Sequence, residues 1–149
     1  MKKGKLYVTA TPIGNLEDIT YRAVSVLRNV AFILAEDTRE SKKLLDRYKI
    51  DTPLISYRDQ NHSLMIEKII QKLDAGLDLA LISDAGTPLI SDPGYKLVKQ
   101  LRDLNYEVIS IPGASAVTSA LSISGLPTDK FIFLGFLPKS DIKRHKLIK

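Results

Sequence analysis

The sequence predicts an α/β fold: a mainly parallel five-stranded sheet with helices on both faces. Three observations point there. Short apolar runs closed by turn residues alternate with helix-period segments along the chain. The 149 residues suit one domain of ordinary size, with little left for a second. Apolar residues make up 44% and charged residues 26%, a balance that supports a packed core rather than disorder.

The elements follow in order. Leu6-Tyr7-Val8-Thr9-Ala10 reads as a buried strand ended by Thr11-Pro12-Ile13-Gly14-Asn15. A helix from about Thr20 to Asn29 places Ala23, Val26, Leu27 and Val30 at helical spacing, with Asp18 as its expected N-cap. Ala31–Ala35 is the second strand, Arg39–Tyr48 the second helix and Leu54–Tyr57 a short third strand. Leu64 to Ala75 carries Leu64, Ile66, Ile69, Ile70 and Leu73, and Gly76 is positioned to stop it. Leu79–Ile82 is a strand followed by a turn-rich loop from Ser83 to Gly94. Tyr95–Leu104 is helical, Val108–Ile111 is the fifth strand, and small residues from Ala114 to Ser122 make a last helix.

Phe131-Ile132-Phe133-Leu134-Gly135-Phe136 stands outside this rhythm. It is a further strand candidate that needs a partner to avoid exposing a sticky edge. It is expected to begin a second domain, so the division expected is 1–126 for the first domain and 127–149 for the start of another.

The composition excludes several classes. There is no cysteine, so disulfides, thiolate metal sites and cysteine nucleophiles are all absent. No apolar run approaches the roughly 20 residues that span a bilayer, and the lysine-rich start has no cleavable signal pattern. A cytoplasmic protein is expected. The net charge is +5, but it sits at the ends: +3 over residues 1–5, +4 over 139–149 and −2 over the body. A basic end can join a phosphate-binding surface, although a solvated tail is the plainer reading. His62 and His145 are isolated and read as surface residues, so no metal site is expected.

In a doubly wound sheet, ligands bind outside the carboxyl ends of the strands. Three loops there carry the small, turn-forming residues that let a ligand approach the backbone: Thr11–Asn15, Ser83–Pro88 and Pro112–Ala116. The chain lacks G-x-x-x-x-G-K-[ST] and G-x-G-x-x-G, which argues against a nucleoside triphosphatase and less strongly against a dinucleotide enzyme. It also lacks the G-x-S-x-G elbow of a hydrolase. Glu36 and Asp37 end the second strand where a ribose-binding carboxylate would sit. The residues by themselves therefore support an adenosine-containing ligand without naming it.

Five ordered blocks are more specific together than any one loop. They are Leu6–Thr20 (LYVTATPIGNLEDIT), Ala35-Glu36-Asp37-Thr38-Arg39, Ser83–Gly94 (SDAGTPLISDPG), Ile111-Pro112-Gly113-Ala114-Ser115-Ala116 and Phe133-Leu134-Gly135-Phe136-Leu137-Pro138. In this order they resemble the bacterial 16S rRNA (cytidine 2′-O)-methyltransferase family, within the tetrapyrrole-methylase superfamily. The resemblance implies two α/β domains with S-adenosylmethionine folded in the cleft between them, held largely by backbone groups, and usually a homodimer. It implies methylation of a ribose 2′-hydroxyl of a cytidine in the RNA of the small ribosomal subunit. The cofactor-binding positions it implies are Pro12, Ile13 and Gly14; Ala85, Gly86, Thr87 and Ile90; and Ser115 and Ala116. Thr87 stands where the porphyrinoid enzymes usually have aspartate, which favours the RNA branch.

With cofactor in that cleft, Glu36 and Arg39 are expected to face substrate, Arg39 pairing with an RNA phosphate. Asp37 and Asp84 are the expected catalytic carboxylates, as each ends a strand beside the cleft. The plainer reading of the Glu36–Arg39 block is a helix start with acids favouring the dipole. Family members run on into a full second domain, whereas this sequence stops 11 residues after Pro138, so an N-terminal part of a longer protein is expected. Two other functions stand beside the leading one: a tetrapyrrole or other small-molecule methyltransferase, and a module that binds RNA or a nucleotide without catalysis.

Overall fold

The computed structural model describes residues 2–148, which divide into two compact units, 2–116 and 117–148. The first unit holds five parallel strands: β1 (Leu6–Thr9), β2 (Phe32–Ala35), β3 (Leu54–Ser56), β4 (Leu79–Ile82) and β5 (Val108–Ile111). Their order across the sheet is β3-β2-β4-β1-β5. Four helices connect them: α1 (Tyr21–Asn29), α2 (Thr38–Arg47), α3 (His62–Asp74) and α4 (Tyr95–Asp103). Strand β4 is buried along its whole length, and its neighbours β1 and β2 nearly so. Continuous apolar runs of this kind suit parallel strands covered on both faces.

Side-chain alternation divides the core between the faces. Leu34, Leu79 and Leu81 join Leu6 and Val8 against Ile66, Ile69 and Leu73 of α3 and Leu97 and Leu101 of α4. Ile33, Ala35, Ala80 and Ile82 point the other way, against Leu27 of α1 and Leu45 of α2. The chain runs outward from β1 to β2 and β3 with α1 and α2 on one face. It then returns through β4 and on to β5 with α3 and α4 on the opposite face, as right-handed crossovers require when the direction reverses. Loops leaving β1 and β4 therefore diverge to opposite faces from adjacent strands. That divergence opens a crevice at the carboxyl edge.

Helix ends depart from expectation in one instructive place. The N-cap of α1 is Thr20, whose hydroxyl accepts from the Ala23 amide at 3.0 Å, and not Asp18. Asp18 instead closes a single 3₁₀ turn, Leu16–Asp18, which Asn15 caps through its side chain. A cap must sit one residue before the first helical one, and the turn moves that point two residues on.

The second unit begins within α5 (Ala116–Ile123), two residues later than the expected start of that helix, and includes α6 (Asp141–Ile148). The basic end read as a tail is thus helical, with Asp141 in the first turn where it favours the dipole and pairs with Arg144. Phe131–Phe136, expected as a strand, forms no β-ladder among the described residues, and its large side chains are exposed. Apolarity makes a segment ready for a sheet, but a strand exists only beside a partner. No helix among the described residues is long and apolar enough to cross a membrane.

Candidate active site

The loops that follow β1 and β4 are joined at their start. Thr11 N–H donates to the Gly86 carbonyl at 2.9 Å and Gly86 N–H donates back to Thr11 at 3.0 Å, an isolated antiparallel bridge. The Thr11 hydroxyl adds a bond to the Ser83 carbonyl at 3.2 Å, and the Ser83 hydroxyl reaches the Ala85 carbonyl at 3.3 Å. Gly86 is held at φ +77°, and a Cβ there would lie 3.3 Å from Ile13 Cγ2 and 4.0 Å from the Ala114 carbonyl. Glycine is thus required by conformation, and its bare face lets three loops approach one another.

Beyond this bridge the Ser83–Gly94 loop is held in an uncommon form. Leu89 and Ser91 both have positive φ, +74° and +63°, on either side of the exposed Ile90. Left-handed backbone at a bulky residue such as leucine is strained and persists only where the surroundings over-determine it. The far end supplies part of that constraint: Gly94 N–H donates to the Asp59 carboxylate at 3.1 Å.

The expected cofactor positions all belong to the first unit and follow β1, β4 and β5 at the carboxyl edge. Pro12 is buried, Ile13 and Gly14 are exposed, and Ala85 is exposed beside the buried Gly86 and half-buried Thr87. Ser115 is half-buried and Ala116, the first residue of α5, is exposed.

The expected carboxylates gather a short way along the same edge, where β2 adjoins β4. Asp37 N–H donates to Asp84 Oδ1 at 3.2 Å, and Asp84 is exposed. Asp37 itself caps α2, its Oδ1 accepting from the amides of Arg39 and Glu40. Those two backbone bonds hold its carboxyl below the usual range. Glu36 behaves oppositely: burial, then the neighbouring charges of Asp84 and Asp92, push it up. Burial also pushes up Asp92. Arg39 extends into solvent, its side chain 92% exposed, with Nε 3.7 Å from Asp37.

Several residues at this edge escaped the sequence reading. Arg58 follows β3, and its Nε donates to the Glu36 carbonyl at 3.1 Å, which sets a guanidinium beside the acids. Its place two residues after a strand is the signal that marked Glu36 and Asp84. On α2, Glu40, Ser41, Lys43 and Leu44 line a pocket of about 430 Å³ with Ile13 and Asp84. Arg39 and Lys43 are four apart and share a helix face. His62, read as a surface residue, instead has both ring nitrogens engaged, with the Tyr57 hydroxyl at 2.9 Å and Gln100 at 2.8 Å. It braces α3 against α4 and takes no part in the crevice.

Comparison with known proteins agrees with this geometry. The sequence model of the family described as Tetrapyrrole (Corrin/Porphyrin) Methylases matches residues 5–147. A protein of Rickettsia prowazekii named Ribosomal RNA small subunit methyltransferase I is 54% identical over 97% of this chain and 52% of its own length. Proteins of the same name from Pseudomonas aeruginosa and Thermotoga maritima are 53% and 51% identical over 99% and 97% of this chain, and 52% and 65% of their own lengths. The chain spans about half the length of most curated relatives it matches. Among solved structures, a putative cobalamin synthesis related protein (CobF) from Corynebacterium diphtheriae superposes with a TM-score of 0.63 at 21% identity, covering 85% of this chain and 60% of that one. The cobalt precorrin-4 methyltransferase CbiF gives 0.64 at 18% identity, covering 79% and 49%. At such identities these two establish the shared fold alone.

Proposed function

The chain belongs to the tetrapyrrole methylases, and from that premise we propose that it is the N-terminal part of an S-adenosylmethionine-dependent methyltransferase that modifies a ribose 2′-hydroxyl of a cytidine in small-subunit ribosomal RNA. The supporting observation is identity above 50% over nearly the whole chain to proteins named for that RNA. The structures named for cobalamin synthesis lie near 20%. The protein is proposed to work in the cytoplasm as a homodimer.

The residues present fit such a cofactor. Small side chains at Gly14, Ala85 and Gly86 leave backbone groups open to a ligand, and Glu36, Asp84 and Asp92 set negative charge near where a sulfonium would lie. Pro12, Ile13, Gly14, Ala85, Gly86, Thr87, Ile90, Ser115 and Ala116 are the residues proposed to hold it. When bound, it supplies an electrophilic methyl group, so that an O–C bond forms as the C–S bond breaks and its electron pair passes to sulfur.

The protein's part is alignment and proton removal. The Thr11–Gly86 bridge and the Asp59 anchor set the loops before substrate arrives, which makes in-line geometry inexpensive to reach. Asp84 is the proposed base for the hydroxyl proton, being exposed at the rim and oriented by the Asp37 amide. The Asp37 carboxylate, committed to capping α2, is proposed to act by holding Asp84 and Arg39 in place. Arg39 is proposed to meet an RNA phosphate, and Glu36 to face the ribose.

The test uses the full-length protein with a labelled methyl donor. Label entering under-methylated small subunits at a ribose 2′-oxygen is the expected result. Label entering a porphyrinoid and not the subunits would replace the reading with the small-molecule one. Binding of RNA without transfer would leave a non-catalytic module.

A further inference from the structure

The pocket between the first loop and α2 is distinct in character from the small-residue loops beside it. Its walls are Ile13, Leu16, Leu44 and Ile82, with Ser41 and Lys43 from α2 and Asp84 from the β4 loop. At about 430 Å³ it lies within the range of pockets that take one small ligand. The polar groups on its lining are few. The Ser41 hydroxyl is 95% buried and is a buried side-chain oxygen with no hydrogen-bond partner, which is uncommon for such a group. Lys43 pairs only with exposed Glu40, its neighbour on the helix.

From this pocket we infer that one nucleoside of the RNA, drawn out of its strand, is received between Leu16 and α2, with its ribose toward Asp84. This inference rests on the ribose-methylation reading and names the substrate's own subsite. Three features carry it. Apolar walls with a few polar groups suit the flat face and hydrogen-bonding edge of a base. The pocket lies on the α1 and α2 side of the crevice, whereas Ser115 and Ala116 follow β5 on the far side of β1. Asp84 lines the pocket and so meets whatever occupies it. The unpaired Ser41 hydroxyl is then left for an edge of the base, and Lys43 for the adjoining phosphate.

The experiment narrows the pocket from a side chain that the fold does not need. Leu16 is 40% exposed in a one-turn segment, so Leu16→Trp adds bulk with little risk to the core. In the full-length protein the KM for under-methylated small subunits is expected to rise about tenfold, while the dissociation constant for S-adenosylmethionine, read by calorimetry, stays within about twofold. Lys43→Ala is expected to raise the same KM about threefold and to flatten its dependence on salt. Weakened cofactor binding with an unchanged KM would mean that the pocket holds the cofactor, and overturns the inference. No change in either quantity also overturns it while leaving rRNA methylation intact. A wild-type protein that labels no subunits removes the ribose-methylation reading and this subsite with it.

Discussion

The amide of Asp37 donates to the carboxylate of Asp84 across 3.2 Å, tying the end of β2 to the end of β4. Two residues 47 positions apart thereby share one task, because Asp37 turns its own carboxylate inward to cap α2 and offers its backbone outward. The pair separates a base from its support, and the distinction can be measured.

Asp84→Asn retains an oxygen for the Asp37 amide and removes the charge. Stability is expected to change by less than about 0.5 kcal/mol, as for other exposed sites. Single-turnover methyl transfer in the full-length protein is expected to fall about 100- to 10,000-fold, the range for loss of a positioned base. Urea unfolding checks the first and quenched-flow labelling the second. An active Asp84→Asn enzyme would show that the proton leaves by another route.

Glu36 and Asp37 are adjacent and are expected to respond oppositely to pH. Burial and the charges of Asp84 and Asp92 raise the folded pKa of Glu36 above its unfolded value. Its contribution to stability is present below the ordinary glutamate range and is lost as pH rises through the raised value. Glu36→Gln is therefore expected to raise the urea midpoint near neutrality and to leave it unchanged in acid. The capped Asp37 is depressed, so its contribution is present near neutrality and is lost as pH falls through its lowered value. Stability profiles of wild type and Glu36→Gln across the acid range test both signs.

Gly94 sits at φ +125°, and a Cβ there would lie 2.8 Å from Leu81 Cδ2 and 3.1 Å from Leu89 Cδ1. Gly94→Ala combines backbone strain with overpacking and is expected to cost about 2–4 kcal/mol. The strained Ser83–Gly94 loop should loosen at the same time. Denaturant titration reads the first effect, and a weaker calorimetric affinity for S-adenosylmethionine reads the second.

Thr20→Ala removes the hydroxyl that caps α1 and is expected to cost about 1 kcal/mol, whereas Asp18→Ala, in the preceding turn, should cost well under half of that. A reversed order in urea unfolding would return the cap to Asp18.

Much of the architecture is legible without coordinates. The bounds Leu79–Ile82 and Val108–Ile111 agree with expectation at both ends because a short apolar run between turn residues is a local signal. The helices α3 and α4 are legible for the same reason, through Ile66, Ile69 and Leu73 and through Leu97 and Leu101. The small-residue loops after β1, β4 and β5 announce a ligand edge, and their ordered blocks carry the family. Local signals fail where a residue's role depends on something distant. Phe131–Phe136 has the composition of a strand and no ladder, and His62 looks isolated until Tyr57 and Gln100 close on it.

The sequence by itself therefore determined which segments are strands and helices, which loops are small enough to admit a ligand, and the family to which they belong. Only the tertiary structure decided the order β3-β2-β4-β1-β5, and with it the meeting of Thr11 with Gly86 and of Asp37 with Asp84. The physical reason is that helical and strand periodicity is written in neighbours three, four or two residues apart. Any apolar strand can pair with any other through identical backbone groups. The choice among partners is made by how both faces of the whole sheet are covered at once, and that is a property of the packed chain.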